Sequence, residues 1–158
     1  MIDLNYFIVF LISMVPLIEL RGAIPVAMTM GLDMVWAYVL CILGNLLPMP
    51  IIYFFARKVL IWGSDKKFTG KFFTFCLEKG EKAGQKLVAK TGRGGLFLAL
   101  TLFVGIPLPG TGAWTGTLGA SFLNMGFKST VASVTIGVIM AGVIMGVASA
   151  LGLHFLGL

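Results

Sequence analysis

Two ionisable residues, Glu19 and Arg21, stand in an otherwise apolar segment, where they could carry chemistry. The segment reads Glu19-Leu-Arg-Gly-Ala-Ile-Pro25 and follows Pro16. Ionisable side chains are costly at membrane depth, so they mark functional sites by default. A glutamate can bind and release a proton, and an arginine stays charged and offers a fork of donors that suits phosphate or carboxylate. The pair predicts a proton-coupled anion site; the alternative is a structural Glu–Arg ion pair that closes a turn.

A second, uncharged segment offers backbone and hydroxyl groups to the same kind of ligand. Its candidate contacts are Pro107, Pro109, Gly110, Thr111, Gly112, Trp114 and Thr115. Glycine lets the backbone approach a ligand closely, and a helix that begins near Thr111 would direct its positive end at an anion. We expect Arg21 and the Gly110–Gly112 backbone to hold the anion. The alternative is that the glycines only allow close packing.

Three further residues complete the candidate binding site. Gly22 and Pro25 belong to the first segment, and Asn45 lies near the middle of the next apolar stretch. Asn45, with Pro48 and Pro50, is expected to break or kink a helix there. Its amide could hydrogen-bond a substrate, although a structural bond is the favoured interpretation. The sequence holds no Ser/His/Asp set, Cys/His cluster or nucleotide-binding loop, so we expect no enzyme, no metal and no cofactor.

The composition indicates the elements that must position these residues. Apolar types make up 58% of the 158 residues and charged types 11%, whereas a soluble domain is about half apolar and about a quarter charged. This excludes an ordinary soluble enzyme, a disordered tail and a disulfide scaffold. We therefore expect an all-α integral membrane protein with a single domain, and its partners are membrane lipids rather than nucleic acid.

The positive charge is concentrated in one segment. Residues 57–93 contain ten of the twelve Lys and Arg residues, and short loops rich in these residues stay in the cytoplasm. Phe68, Phe72, Phe75 and Cys76 recur at helical spacing. This predicts one or two short amphipathic helices at the inner membrane interface, where the lysines could attract anionic lipid head groups. The favoured interpretation is a determinant of topology without a role in substrate binding.

Proline and glycine interrupt two of the apolar stretches. Crossing a bilayer takes about 20 apolar residues in a helix, and both interrupted stretches should break in the middle. Non-helical backbone at membrane depth survives only where protein or a water-filled cavity surrounds it. We therefore expect re-entrant helical hairpins over 4–32 and 94–125. Spanning helices over 34–61 and 128–157 should follow them.

The two halves also resemble each other. Shifted by 91 residues, Val15-Pro16-Leu17 aligns with Ile106-Pro107-Leu108. Each half would then cross the membrane once, so repeat 1 (1–62) and repeat 2 (94–158) would be inverted around a basic linker (63–93), with both termini outside the cell. Inverted repeats often place binding sites at the bilayer midplane. The alternative is four complete spanning helices with both termini inside.

The motif Glu19-Leu-Arg-Gly-Ala-Ile-Pro25 and the segment Pro107-Leu-Pro-Gly-Thr-Gly-Ala-Trp-Thr-Gly116 resemble the signature blocks of the small multi-drug export protein family. That family is similar to the DedA (VTT-domain) superfamily. The resemblance implies facing re-entrant hairpins and proton-coupled movement of lipids such as undecaprenyl phosphate. Glu19 and Arg21 match the charged tip of the first hairpin in that pattern. The tip of the second hairpin departs from the pattern, because DedA-type proteins carry arginine there and this segment is uncharged.

The sequence therefore predicts a transporter of the inner cell membrane, assembled as a small homo-oligomer. Its substrate would be a lipid-linked or small anion, with Glu19 coupling protons. The first alternative is a small multidrug exporter of lipophilic cations, in which Glu19 alternates between proton and drug. The second is a membrane scaffold or lipid-binding protein that transports nothing.

Overall fold

The described part of the chain is all-helical, as its composition predicts. A computed structural model describes residues 4–16, 18–66, 70–108 and 110–156, and these ranges contain no strand. Their helices, in chain order, are α1 (Leu4–Met14), α2 (Glu19–Thr29), α3 (Met34–Leu46), α4 (Met49–Ser64), α5 (Gly70–Gly105), α6 (Ala113–Phe122) and α7 (Phe127–Leu156).

Two helical stretches are long and apolar enough to cross a membrane. One is Met34–Ser64, which combines α3 and α4 over 31 residues, and the other is Phe127–Gly152 in α7, with 26 residues. The first stretch is interrupted between Leu46 and Met49, where α4 begins with a proline in its first turn. Proline is tolerated there because a first-turn N–H has no partner within the helix.

The other helices of the apolar regions are short and lie on either side of sharp turns. α1 and α2 have 11 residues each and pack against each other. The chain turns between Met14 and Glu19, and Glu19 itself has a left-handed backbone with φ +52°. Pro25 does not end α2, which continues to Thr29. The turn is therefore confined to the residues around Pro16.

The second sharp turn lies between α5 and α6. α5 ends at Gly105 and α6 begins at Ala113. Met14 and Gly105, the last residues of α1 and α5, are 91 positions apart, but the second turn is longer than the first. The order of elements after Gly92 repeats the order after residue 4: a helix, a turn, a short helix and an apolar helical stretch.

From Gly70 onward the basic segment is one helix, longer than the one or two short helices that its pattern predicts. It forms the first part of α5, up to a non-helical residue, Gly92, with φ +71° and ψ 178°. Lys79, Lys82 and Lys86 are exposed on it. Phe68 and the side chains of Phe72 and Cys76 lie outside the described residues.

Arg57, the first of the ten basic residues in this region, belongs to α4. Its Nη1 donates a hydrogen bond to Oδ1 of Asn124 in the turn between α6 and α7. The hydroxyl of Ser121 donates to the carbonyl oxygen of Tyr53, 3.1 Å away. These bonds fix α4 against the end of α6, so that α4 forms one wall of the site.

Candidate functional site

The carboxylate of Glu19 caps the first turn of α6. Its Oε1 accepts a hydrogen bond from the backbone N–H of Trp114 at 3.1 Å, and its Oε2 accepts one from Ala113 at 3.3 Å. The first N–H groups of a helix lack partners within the helix and carry its positive dipole end, so a carboxylate is favourable there. Glu19 is only 3% exposed. A residue of the first half thus satisfies a helix end of the second half.

Gly112 provides the space for this contact. A Cβ on Gly112 would lie 2.6 Å from Oε1 and 2.7 Å from Cδ of Glu19. Its φ of +143° is also in the region that glycine adopts far more easily than other residues. Gly112 was predicted to contact substrate, but in the structure the position that a Cβ would take points at the carboxylate of Glu19.

The guanidinium of Arg21 binds the other end of the same turn. Nη1 donates to the carbonyl oxygen of Leu108 at 2.6 Å, and Nη2 donates to those of Val104 at 3.1 Å and Ile106 at 3.4 Å. Carbonyls at the end of a helix lack helical partners and favour a cation. The Nε of Arg21 is buried and has no hydrogen-bond partner among the described residues.

Glu19 and Arg21 are thus bound to the second half rather than to each other. Among the described residues, no ion pair joins them, so the structure does not contain the ion pair that would close their own turn. They also lie in the first turn of α2. A further hydrogen bond has its donor in the second half: Nε1 of Trp114 donates to the carbonyl oxygen of Met14 at 3.2 Å.

A cavity of about 690 Å³ lies beside these bonds. The predicted residues that line it are Glu19, Arg21, Pro107, Gly110, Thr111, Trp114 and Thr115. The structure therefore brings the two sequence motifs together at one cavity, with Glu19 and Arg21 as its only ionisable lining residues within the described part of the chain.

The hydroxyl groups at the cavity are already used by the protein. Thr111 Oγ1 donates to the carbonyl oxygens of Ile106 and Leu108, each at 2.9 Å, and Thr115 Oγ1 lies 3.5 Å from the carbonyl oxygen of Gly112. The N–H groups at the start of α6 are held by Glu19. The backbone pocket expected to receive an anion is thus occupied by the protein's own carboxylate.

Four predicted site residues that the structure describes do not line the cavity: Gly22, Pro25, Asn45 and Gly112. Pro109 lies outside the described residues. Asn45 is 1% exposed, and its amide nitrogen and oxygen have no hydrogen-bond partner among the residues that the structure describes. The structural hydrogen bond that the sequence favoured for Asn45 is therefore not found among the described residues.

The sequence interpretation missed the apolar wall of the cavity. Residues of α4 form one side of it, at positions 52, 55, 56 and 59, and residues of α6, α7 and the two turns complete it. The full set is Pro16, Ile52, Phe55, Ala56, Val59, Leu108, Leu118, Phe122 and Met145. The α4 positions have the spacing of one helix face. Because nearly every position around them is also apolar, that spacing did not stand out from its surroundings.

The comparison with protein families places both motifs in one known family. Residues 19–144 match the family described as "Putative small multi-drug export protein", and the matched range begins at Glu19 and includes both motifs and the turn between α5 and α6. No curated protein and no solved structure matches the chain. The export family and the two long apolar helical stretches indicate a membrane protein. Since the match covers well over half of its length, the chain belongs to the small multi-drug export protein family.

Proposed function

We propose that this protein is a membrane transporter of an amphiphilic anion, coupled to protons through Glu19. The observation that carries the proposal is the cavity itself, which combines one arginine and one glutamate with a long apolar wall. The family description supports a role in export. Pockets of this kind use a few polar groups to fix orientation and apolar surface to supply affinity.

The proposed substrate has a charged oxyanion head and an apolar chain. The head would lie beside Arg21, whose Nε has no protein partner in the described structure. The apolar chain of the substrate would lie along α4, where Phe55 and Ile52 face the cavity. A lipid-linked phosphate such as undecaprenyl phosphate fits this description, as in DedA-type proteins; a small anion would use the head position alone.

The proposed arrangement in the membrane is an inverted repeat of two re-entrant hairpins. One hairpin is α1 with α2, and the other is α5 after Gly92 with α6. A helix of 11 residues, such as α1, is about 16 Å long, roughly half of a hydrocarbon core of about 30 Å. We place the basic segment in the cytoplasm and both termini outside the cell membrane, which is the locality and orientation that the basic residues favour.

Reporter fusions test this orientation. A reporter that is active only in the cytoplasm should give no signal at either terminus and a strong signal when inserted near Asp65, between α4 and α5. The measurement is the ratio of signal to total fusion protein in whole cells. Signal at both termini as well as at the insertion would contradict the hairpins and support four complete spanning helices.

Export of lipophilic cations is the second candidate function, supported by the family description. Glu19 would then exchange a proton for the drug, but Arg21 would oppose the drug's charge in the same cavity. A scaffold without transport is the third candidate, and it predicts that Glu19→Gln has no effect on function. The anion proposal is preferred because it gives both charged side chains a role.

Binding of undecaprenyl phosphate to the purified protein in detergent tests the proposal. Arg21→Ala is expected to weaken binding by about tenfold or more, since hydrogen bonds to charged groups contribute about 1.5–3 kcal/mol. Arg21→Lys should retain part of the affinity, because it keeps the charge without the fork of donors. Lys79→Ala is the matched control: it removes one exposed positive charge of α5 that lies outside the cavity lining.

The same experiment includes tetraphenylphosphonium as a lipophilic cation. Because Arg21 also holds the turn after α5, each variant is first compared with the wild type by thermal unfolding. If undecaprenyl phosphate does not bind while the cation binds and depends on Glu19, the anion proposal is wrong and drug export takes its place.

A further inference from the structure

We propose that the Glu19 carboxylate is a built-in occupant of the anion-binding position, and that the oxyanion of the substrate displaces it from the N–H groups of Ala113 and Trp114. This inference rests on the proposed function, because it identifies how the same cavity receives its anion. The structure shows the state before displacement, in which the two carboxylate oxygens of Glu19 each accept one of these N–H groups, at 3.1 and 3.3 Å.

The ligand class follows from this geometry. A phosphate, sulfate or carboxylate head presents two oxygens with nearly the separation of those in the Glu19 carboxylate. Gly112 leaves no Cβ against either oxygen, so an oxyanion in the same place would meet no side chain at position 112. The N–H groups therefore suit an oxyanion and offer nothing to a cation.

Glu19 also lies at the right place to be displaced. It lines the cavity as well as capping α6, so it separates the cavity from the two N–H groups. Arg21, on the same helix, also lines the cavity and is its positively charged lining residue among those described. An entering oxyanion would thus gain the two N–H groups and lie beside the guanidinium.

Charge balance makes the two occupants exclusive. The cavity lining contributes no charged residue from α4, α6 or α7, so Arg21 is the one cation that faces Glu19 within the described lining. A second negative charge beside an ionised Glu19 would be repelled strongly in a site of low polarity. The anion should therefore bind when Glu19 takes up a proton and leaves the N–H groups. Anion binding then strengthens as pH falls, and anion binding in turn favours proton uptake.

Removing the carboxylate tests this inference, because the expected change is a gain. Glu19→Ala should bind undecaprenyl phosphate at least about tenfold more tightly than the wild type at about pH 8. The carboxylate that competes for the N–H groups is then absent, and hydrogen bonds to such a charged group contribute about 1.5–3 kcal/mol. Glu19→Gln should also bind more tightly, by a smaller factor, because its amide oxygen can still accept one N–H. Undecaprenol, which lacks the phosphate, is the control ligand and should show no gain.

The pH dependence provides the second measurement. Dicetyl phosphate is used here because this diester remains a monoanion, so that only the protein titrates. Its affinity for the wild type should rise from about pH 8 to about pH 5, and the rise should disappear in Glu19→Ala and Glu19→Gln.

The outcomes separate this inference from the proposed function. Equal or weaker anion binding in both folded Glu19 variants, together with Arg21-dependent binding in the wild type, overturns the displacement and leaves anion transport intact. Binding that is independent of Arg21 in every variant overturns the proposed function itself. Glu19→Gln keeps the test valid if Glu19→Ala fails to fold, because it retains the shape of the side chain.

Discussion

Gly112→Ala is expected to abolish binding of undecaprenyl phosphate and to lower the free energy of unfolding by about 2–4 kcal/mol, the combined cost of an unfavourable backbone conformation and of lost hydrogen bonds to a charged group. The new Cβ would lie 2.6 Å from Oε1 of Glu19, so the carboxylate must leave the N–H groups of α6. The same Cβ would block a substrate oxyanion. Both quantities are measurable on the purified protein, by denaturant unfolding and by ligand titration.

Gly119→Ala is the matched control for this change. Gly119 lies in the same helix, α6, and a Cβ there would meet nothing within 4 Å. Alanine in a helix interior is favoured over glycine by up to about 1 kcal/mol, so this variant should be as stable as the wild type or more stable. If Gly112→Ala behaved like Gly119→Ala, the contact between Gly112 and Glu19 would have no energetic importance.

A double variant isolates the contact from the backbone effect. In a Glu19→Ala background, Gly112→Ala removes no carboxylate contact, and only the cost of φ +143° remains. The loss of stability caused by Gly112→Ala should therefore be smaller in that background than in the wild type. An equal loss in both backgrounds would assign the whole effect to the backbone.

The helix breaks were the most predictable part of this fold. Proline and glycine act locally, so the turn around Pro16, the interruption before Met49 and the turn after Gly105 follow from residue types alone. The basic segment was less predictable. Its charge and aromatic spacing indicated one or two short helices, and the structure has one longer helix that runs from Gly70 to the non-helical Gly92, with φ +71°.

The candidate site was predictable in its members and not in its bonds. Sequence reasoning selected Glu19 and Arg21 because charge is rare in this chain, and the structure brings them to one cavity with the second motif. Their partners are 83 to 95 residues away, and no local pattern specifies contacts over that separation. The open anion pocket was predicted for the same reason: from the sequence alone, nothing indicated that Glu19 itself would reach the first N–H groups of α6.

The packing of α5 against α7 leads to the second prediction of large effect. The two helices approach closely at Gly137, where a Cβ would lie 2.7 Å from Cβ of Val104 and 2.8 Å from the carbonyl oxygen of Thr101. A backbone atom cannot move aside as a flexible side chain can. Val104 also supplies a carbonyl oxygen to Arg21, so this contact supports the site directly.

Gly137→Leu is therefore expected to lower the free energy of unfolding by about 3 kcal/mol or more, at the upper end of the range for overpacked cores. Gly152→Leu is the matched control in the same helix, since a Cβ on Gly152 would meet nothing within 4 Å, and it should change stability little. The measurement is denaturant unfolding of both purified variants in the same detergent.

Separating α5 from α7 would also move the carbonyl oxygen of Val104 away from Arg21, so Gly137→Leu should weaken anion binding although it lies outside the cavity lining. Wild-type stability in Gly137→Leu would mean that α5 and α7 do not pack through this glycine, and the position of the Arg21 site would then need another explanation.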